Sequence, residues 1–290
     1  MATGNPVKIK LQELKAQFDL LSVGKISLLN MIDEAEIAES VYNSNAIENS
    51  TLTLKETEKI LLDMDISRNV SLREIFEAKN LARVMKYISS KSKVEILSKD
   101  LILLLHKMLI ENINEEIAGR FRSQGEYVKV GTHIAPAPQQ VEKMVTNALV
   151  EYSSNQNSYF LDKITKFHLD FETIHPFNDG NGRIGRVLIN YQLFGLGFPA
   201  IIIRNKEKLN YSISFNDYQV SKTTRPMEKI LTLALMESLH KRIAYLEDLK
   251  IITLTDYVKK SGKIPSSIFN QAKRQTIPAF REKGIWKIGV

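Results

Sequence analysis

His175-Pro-Phe-Asn-Asp-Gly-Asn-Gly-Arg-Ile-Gly-Arg186 gathers an imidazole, a carboxylate, a Gly/Asn turn and two guanidiniums within twelve residues. An apolar helical pattern follows at once through Val187, Leu188, Ile189, Tyr191, Leu193 and Phe194. A polar turn feeding a helix start leaves backbone N–H groups without internal partners, and the helix dipole adds partial positive charge at the same place. Gly180 and Gly182 lack the Cβ that would crowd an anion or resist positive φ. Arg183 and Arg186, three apart, share a helical face, and guanidinium forks suit phosphate oxygens. The stretch therefore reads as a polyphosphate site. It is not a dinucleotide fingerprint, because no strand pattern precedes the glycines. It is not a Walker loop, because the Gly-Lys-Ser/Thr ending is missing.

A second motif lies far upstream. Ser44-Asn-Ala-Ile-Glu48-Asn49 closes a helix pattern running through Leu29, Ile32, Ile37, Ala38, Val41 and Tyr42. Ser44 and Glu48 are i, i+4 and share a face. On the residues alone this is a helix ending in a surface glutamate.

Residues 175–186 resemble the signature of the Fic proteins (filamentation induced by cAMP), His-Pro-Phe-x-Asp/Glu-Gly-Asn-Gly-Arg-x-x-Arg, at every specified position. The likeness extends upstream through His168-Leu-Asp-Phe-Glu-Thr-Ile174, downstream to about Pro226, and to Gly119-Arg-Phe-Arg122 through Ala135-Pro-Ala-Pro138. It implies a helical protein that transfers AMP from ATP to a Ser, Thr or Tyr hydroxyl of a target protein. His175 would take the hydroxyl proton, Asp179 would hold Mg²⁺, and Gly180, Asn181 and Gly182 would cradle the α- and β-phosphates. Arg183 and Arg186 would neutralise the rest of the triphosphate. Glycine at 182, where Doc-like relatives carry lysine, favours nucleotidyl over phosphoryl transfer. Ser44–Asn49 resembles the family's inhibitory motif, Ser/Thr-x-x-x-Glu-Gly/Asn, which implies that Glu48 pairs with Arg186 and holds ATP unproductively. A pair of that kind would bias the equilibrium by ~2–4 kcal/mol. Tyr211 matches a family tyrosine near the adenine, although the second such tyrosine is Ser212 here. Glu126–Gly131 would form a β-hairpin flap that clamps the target by strand addition.

The chain has 290 residues, 43% hydrophobic, enough for a full core and a small appended domain. It has no cysteine, no apolar signal core at its start and no run long enough to span a bilayer, so a soluble cytoplasmic protein without membrane contact is expected. Period and caps predict helices over 7–22, 28–48, 55–64, 71–90, 99–111, 138–153, 159–174, 182–195, 207–221 and 227–248. Ser98 reads as an N-cap, Pro138 as a first-turn proline, and Gly195, Gly197 and Pro199 as a stop. His106, His133, His168 and His240 lack zinc spacing and read as structural.

Residues 249–290 hold nine Lys/Arg and two Asp/Glu, so their net charge of +7 equals that of the whole protein. Their order, a helix over 253–261, a Gly/Pro turn, a helix over 266–281 and a strand over 284–290, resembles a reduced winged helix. DNA phosphates are a conceivable ligand, but a small cap packed on the bundle is the preferred reading. The expected fold is all-α: N-terminal helices with the inhibitory motif (1–69), a Fic-type bundle with its flap (70–248) and a winged-helix-like tail (249–290). The alternatives are a nucleotide-sensing DNA-binding regulator, a transferase with another nucleotide donor, and an AMP-removing enzyme. Self-modification and homo-oligomerisation are left open.

Overall fold

A computed structural model describes residues 4–64, 68–131 and 133–290. Ten helices build the main body: α1 (Asn5–Ser22), α2 (Ile26–Ile47), α3 (Leu54–Leu61), α4 (Leu72–Lys91), α5 (Lys99–Ile110), α6 (Pro138–Ser154), α7 (Phe160–Ile174), α8 (Asn181–Gly195), α9 (Lys208–Ser221) and α10 (Arg225–Leu246). Local chemistry sets their ends. Thr53 and Glu56 form a reciprocal capping box on α3, and Ser98 accepts from the Leu101 N–H at the start of α5. Phe198 N–H closes back onto Leu193 after α8, across Gly197 at φ +73°. Helix α10 begins two residues before the predicted 227, because Pro226 sits comfortably in a first turn.

Helix α8 is the axis of the body. Its Ile184, Val187, Leu188 and Tyr191 join one core with Ile88, Leu105, Leu109, Phe171 and Phe177. Its Ile189 and Leu193 join a second core with Leu11, Leu161, Met227 and Leu235. A helix apolar on all sides must be surrounded, so the signature loop at its start is anchored from both sides. The expected division at 69 is not a packing boundary. Val41, Leu52 and Ile60 belong to the first core, and Leu11, Leu14, Phe18 and Ile47 to the second. The N-terminal helices complete the bundle.

The predicted flap strand contracts to a hairpin of two-residue strands, β1 (Lys129–Val130) and β2 (His133–Ile134), paired antiparallel. Glu126 lies before it, in a turn where its carboxylate takes Arg120 and the Ser123 N–H.

The tail has its own small core of Leu254, Val258, Ile268, Ala272, Ala279 and Ile288. It runs β3 (Ile251–Thr253), α11 (Leu254–Ser261), α12 (Pro265–Lys273), β4 (Ala279–Glu282) and β5 (Ile285–Gly289), with sheet order β3-β5-β4. The helix expected over 266–281 stops at 273. Gln275 turns to φ +54° and Pro278 cannot continue a helix, so 279–282 becomes a strand. Lys283 and Gly284, both at positive φ, make the two-residue turn between β4 and β5.

Candidate active site

The loop from 175 to 180 is held from beneath. His175 caps α7 in the left-handed region (φ +50°), its N–H donating to Phe171 O at 2.9 Å. Phe177 is fully buried and stacks on His106 at 3.7 Å between ring centroids. Gly119 N–H donates to His106 Nδ1 (3.1 Å), which leaves Nε2–H to donate to Asp179 O (3.0 Å). Burial pushes the His106 imidazole down to about 4, so it serves as a neutral strut. Arg122 is buried and donates to the carbonyls of His175 (2.8 Å), Glu126 (2.9 Å), Pro136 (2.9 Å) and Ile174 (3.3 Å). One guanidinium thus joins the base of the hairpin to the loop that carries His175.

The Asn181 side chain is committed within the turn itself. Its Oδ1 accepts from Phe177 N–H (2.8 Å) and its Nδ2 donates to Phe177 O (2.7 Å), which staples the turn shut. Only its backbone is free to face an anion. Gly180 is the N-cap of α8 at φ +80°, where a side chain would be strained.

The charged groups form two sets. Asp179 accepts from Gly180 N–H (2.6 Å) and Arg183 (3.0 Å) on Oδ1 and from Arg73 on Oδ2, while Arg183 also meets Glu77 at 3.1 Å. Arg186 is buried; its Nε donates to Ser44 Oγ (2.9 Å), and its Nη2 donates to Ser44 O (2.9 Å) and Glu48 Oε1 (2.8 Å). Burial opposes ionisation of Glu48, but the Arg186 guanidinium outweighs it and the carboxyl lies below its ordinary range. Gly182 makes that contact sterically feasible: a Cβ there would overlap Glu48 Oε1.

The helix that carries Glu48 ends for a legible reason. Asn49 takes φ +69°, and Ser50 N–H reaches back to Asn45 O at 3.0 Å. Asparagine tolerates this conformation as few L-residues do.

Tyr211, expected near an adenine, lies in the core behind Arg186. It is 3% exposed, its hydroxyl meets His168 Nε2 at 2.8 Å, and its ring lies 5.9 Å from the Arg186 guanidinium. It packs behind Arg186 and presents no open face to a base. Burial lowers His168 to about 3, which makes it another neutral support, as expected. His133 and His240 are likewise engaged, with Thr173 O (2.9 Å) and Gln275 Oε1 (2.8 Å).

At His175 itself burial lowers the imidazole to about 4, against the opposing pull of the Glu172 backbone and the Glu48 charge. The ring is neutral at neutral pH, with one nitrogen left as a base. Glu172 lies beside it, Oε2 at 3.9 Å from Nδ1. Sequence reasoning did not single out Arg73, Glu77, Arg122 or Glu172 for a role at this site. Each acts through a partner distant in sequence or through a buried contact, and no local pattern announces that.

A neutral imidazole, a carboxylate and a glycine turn thus meet at a helix start on a helical scaffold. Residues 96–193 match the family model described as Fic/DOC family, so the chain carries a domain of that family. A "Protein adenylyltransferase Fic" from Nematostella vectensis is 32% identical over 207 residues, covering 70% of this chain and 48% of the relative. The chain thus spans about half the length of that curated relative. The fold is shared with a Fic domain containing signaling protein from Bacteroides thetaiotaomicron (TM-score 0.73, 24% identity, 82% of this chain and 97% of the other). It is shared over almost the full chain with a Fic family protein from Desulfovibrio desulfuricans (TM-score 0.67, 20% identity, 99% and 97%). Among the described residues, no helix is long and apolar enough to cross a membrane.

Proposed function

We propose that this chain transfers AMP from ATP to a hydroxyl side chain of a protein, and that Glu48 holds it inactive. The observation that carries the reading is the Glu48 carboxylate itself. It sits over Gly182 at the start of α8 and takes 2.8 Å contact from Arg186. This is the space and the partner that a phosphate would use. An acidic side chain parked in an anion site is a competitor for the anion. The relative's name, protein adenylyltransferase, supports the choice of nucleotide chemistry.

In the transfer, the neutral imidazole of His175 accepts the proton of the attacking hydroxyl. The hydroxyl oxygen bonds to the α-phosphorus and pyrophosphate leaves. Turn N–H groups from 180 to 182 and Arg186, once freed, stabilise the phosphate charge. Asp179 fits magnesium, which takes one or two carboxylates together with phosphate oxygens, and Arg73, 58% exposed, is the partner able to swing away. Bound there, the cation would neutralise phosphate charge. The target segment would lie along the hairpin, whose Tyr127 and Ile134 are 63% and 71% exposed and whose base Arg122 ties to the His175 loop.

Glu48→Gly is expected to raise AMP incorporation at least about tenfold, since losing even ~1.4 kcal/mol of bias has that effect. An unchanged rate with radiolabelled ATP would remove the inhibitory role. His175→Ala in the released background should abolish labelling with the circular dichroism spectrum intact. Persistent labelling would mean a different base. Offering the released form each labelled nucleotide in turn tests the choice of ATP.

A further inference from the structure

Glu172 is the one acid in this region that no role above uses. Its Oε1 is buried without a hydrogen-bond partner. It lies against the bare α-carbon of Gly185, where a Cβ would overlap it and also crowd His168. Its Oε2 is 3.9 Å from His175 Nδ1. The groups that face it are Arg186 from α8, Glu48 from the end of α2, Tyr211 from α9, and His168 and His175 on its own helix and cap. His175 in turn feels Glu48, Arg122 and His133.

With Glu48 in place, Arg186 already has its counter-ion, and a second carboxylate in the same buried pocket is unfavourable. Burial and the charge of Glu48 accordingly raise Glu172 to about 8, so it is neutral. When Glu48 withdraws, Arg186 is left buried and positive, with Glu172 as the acid within electrostatic reach.

We propose that Glu172 is a positioning residue that replaces Glu48 as counter-charge to Arg186 and, through its contact with Nδ1, makes His175 a stronger base. The inference rests on the reading of Glu48 as an inhibitor. On release, Glu172 gives its proton to solvent, and a carboxylate then stands behind the imidazole. Burial, reinforced by the charge of the group that blocks the phosphate site, keeps Glu172 protonated; because that same charge also acts directly on His175, the effect of Glu172 on the base is read with Glu48 absent. Departure of one acid would open the site and tune the base together.

The test is the midpoint of the His175 Cε1–H titration by NMR, without nucleotide, assigned by its loss in His175→Ala. Four proteins are compared: the native sequence, Glu172→Gln, Glu48→Gly, and the double variant. The midpoint in Glu48→Gly should exceed that in the double variant by at least about one pH unit, a tenfold change in proton affinity. With Glu48 present, Glu172→Gln should leave it unmoved. Glu172→Asp in the Glu48→Gly background keeps a carboxylate set farther back and should fall between, which a purely structural role would not produce. Equal midpoints in the two Glu48→Gly proteins, or a shift of the same size with Glu48 present, would overturn the proposal. AMP transfer is measured in parallel. A shift without transfer would refute the enzymatic reading alone, and transfer without a shift would refute this inference alone.

Discussion

Single atoms decide much of what the signature can do. Gly182 and Gly180 are both glycines, for different reasons. At 182 the backbone is helical and the need is space for Glu48 Oε1; at 180 the need is a left-handed turn. A Cβ at 180 would meet Leu109 Cδ2 at 3.0 Å on a backbone of φ +80°. Gly180→Ala should therefore destabilise the protein by about 1–3 kcal/mol. Urea unfolding measures it, and a loss under ~0.5 kcal/mol would show that the loop relaxes freely. Asn181 has the opposite character. Its side chain is spent wholly on Phe177, so it shapes the turn and offers a ligand only its main chain.

Elements show where sequence reasoning succeeds and where it stops. The body helices were legible because apolar period and capping residues are local signals, as at Ser98, Pro138 and the Gly195–Pro199 stop. The pairing of residues 48 and 186 was implied by family likeness and not by any local signal. The strand at 279–282 was missed because its edge faces β5 and α10, and a positive φ at Gln275 ended the helix early. The polar underside of α2 was also hidden. Asp33 and Glu36 take Arg242 (2.5 and 2.7 Å), Glu36 takes Lys241 (3.0 Å), and Glu39 takes Arg204 with the Lys283 and Gly284 N–H groups (both 2.9 Å). In sequence these acids look like a solvated face. Removing Glu39 would strand two backbone donors and half of the Arg204 pairing, although Arg204 keeps Glu237 at 2.8 Å. Glu39→Ala should cost about 2–3 kcal/mol in thermal or urea unfolding. A neutral result would mean that water replaces the carboxylate easily.

For the whole molecule, buried neutral groups set the acid limit. His106, His168 and His175 have native values of about 4, 3 and 4, all below the ordinary 6.5. The unfolded chain therefore binds protons that the native one refuses, and stability falls as pH drops from 6.5 towards 4. Glu172, raised to about 8, acts with the opposite sign: its contribution is present below 4.5 and lost as pH rises through 8. These four groups alone leave a slope of roughly 2–3 kcal/mol per pH unit near pH 5, and His240, also lowered by burial, acts in the same direction as the other histidines. Urea midpoints at pH 6.5 and 5.0 check it; a flat profile would mean the histidines are hydrated. Three of the tail's nine Lys/Arg are committed, with Arg281 on Glu237 (2.5 Å), Lys283 on Glu58 (2.8 Å) and Lys287 on Glu282 (2.6 Å). The tip of the β4–β5 ribbon is clasped by the very helix that finishes at Glu48. Anything that grips that tip must first prise it from Glu39, nine residues along the same helix from the carboxylate that holds Arg186.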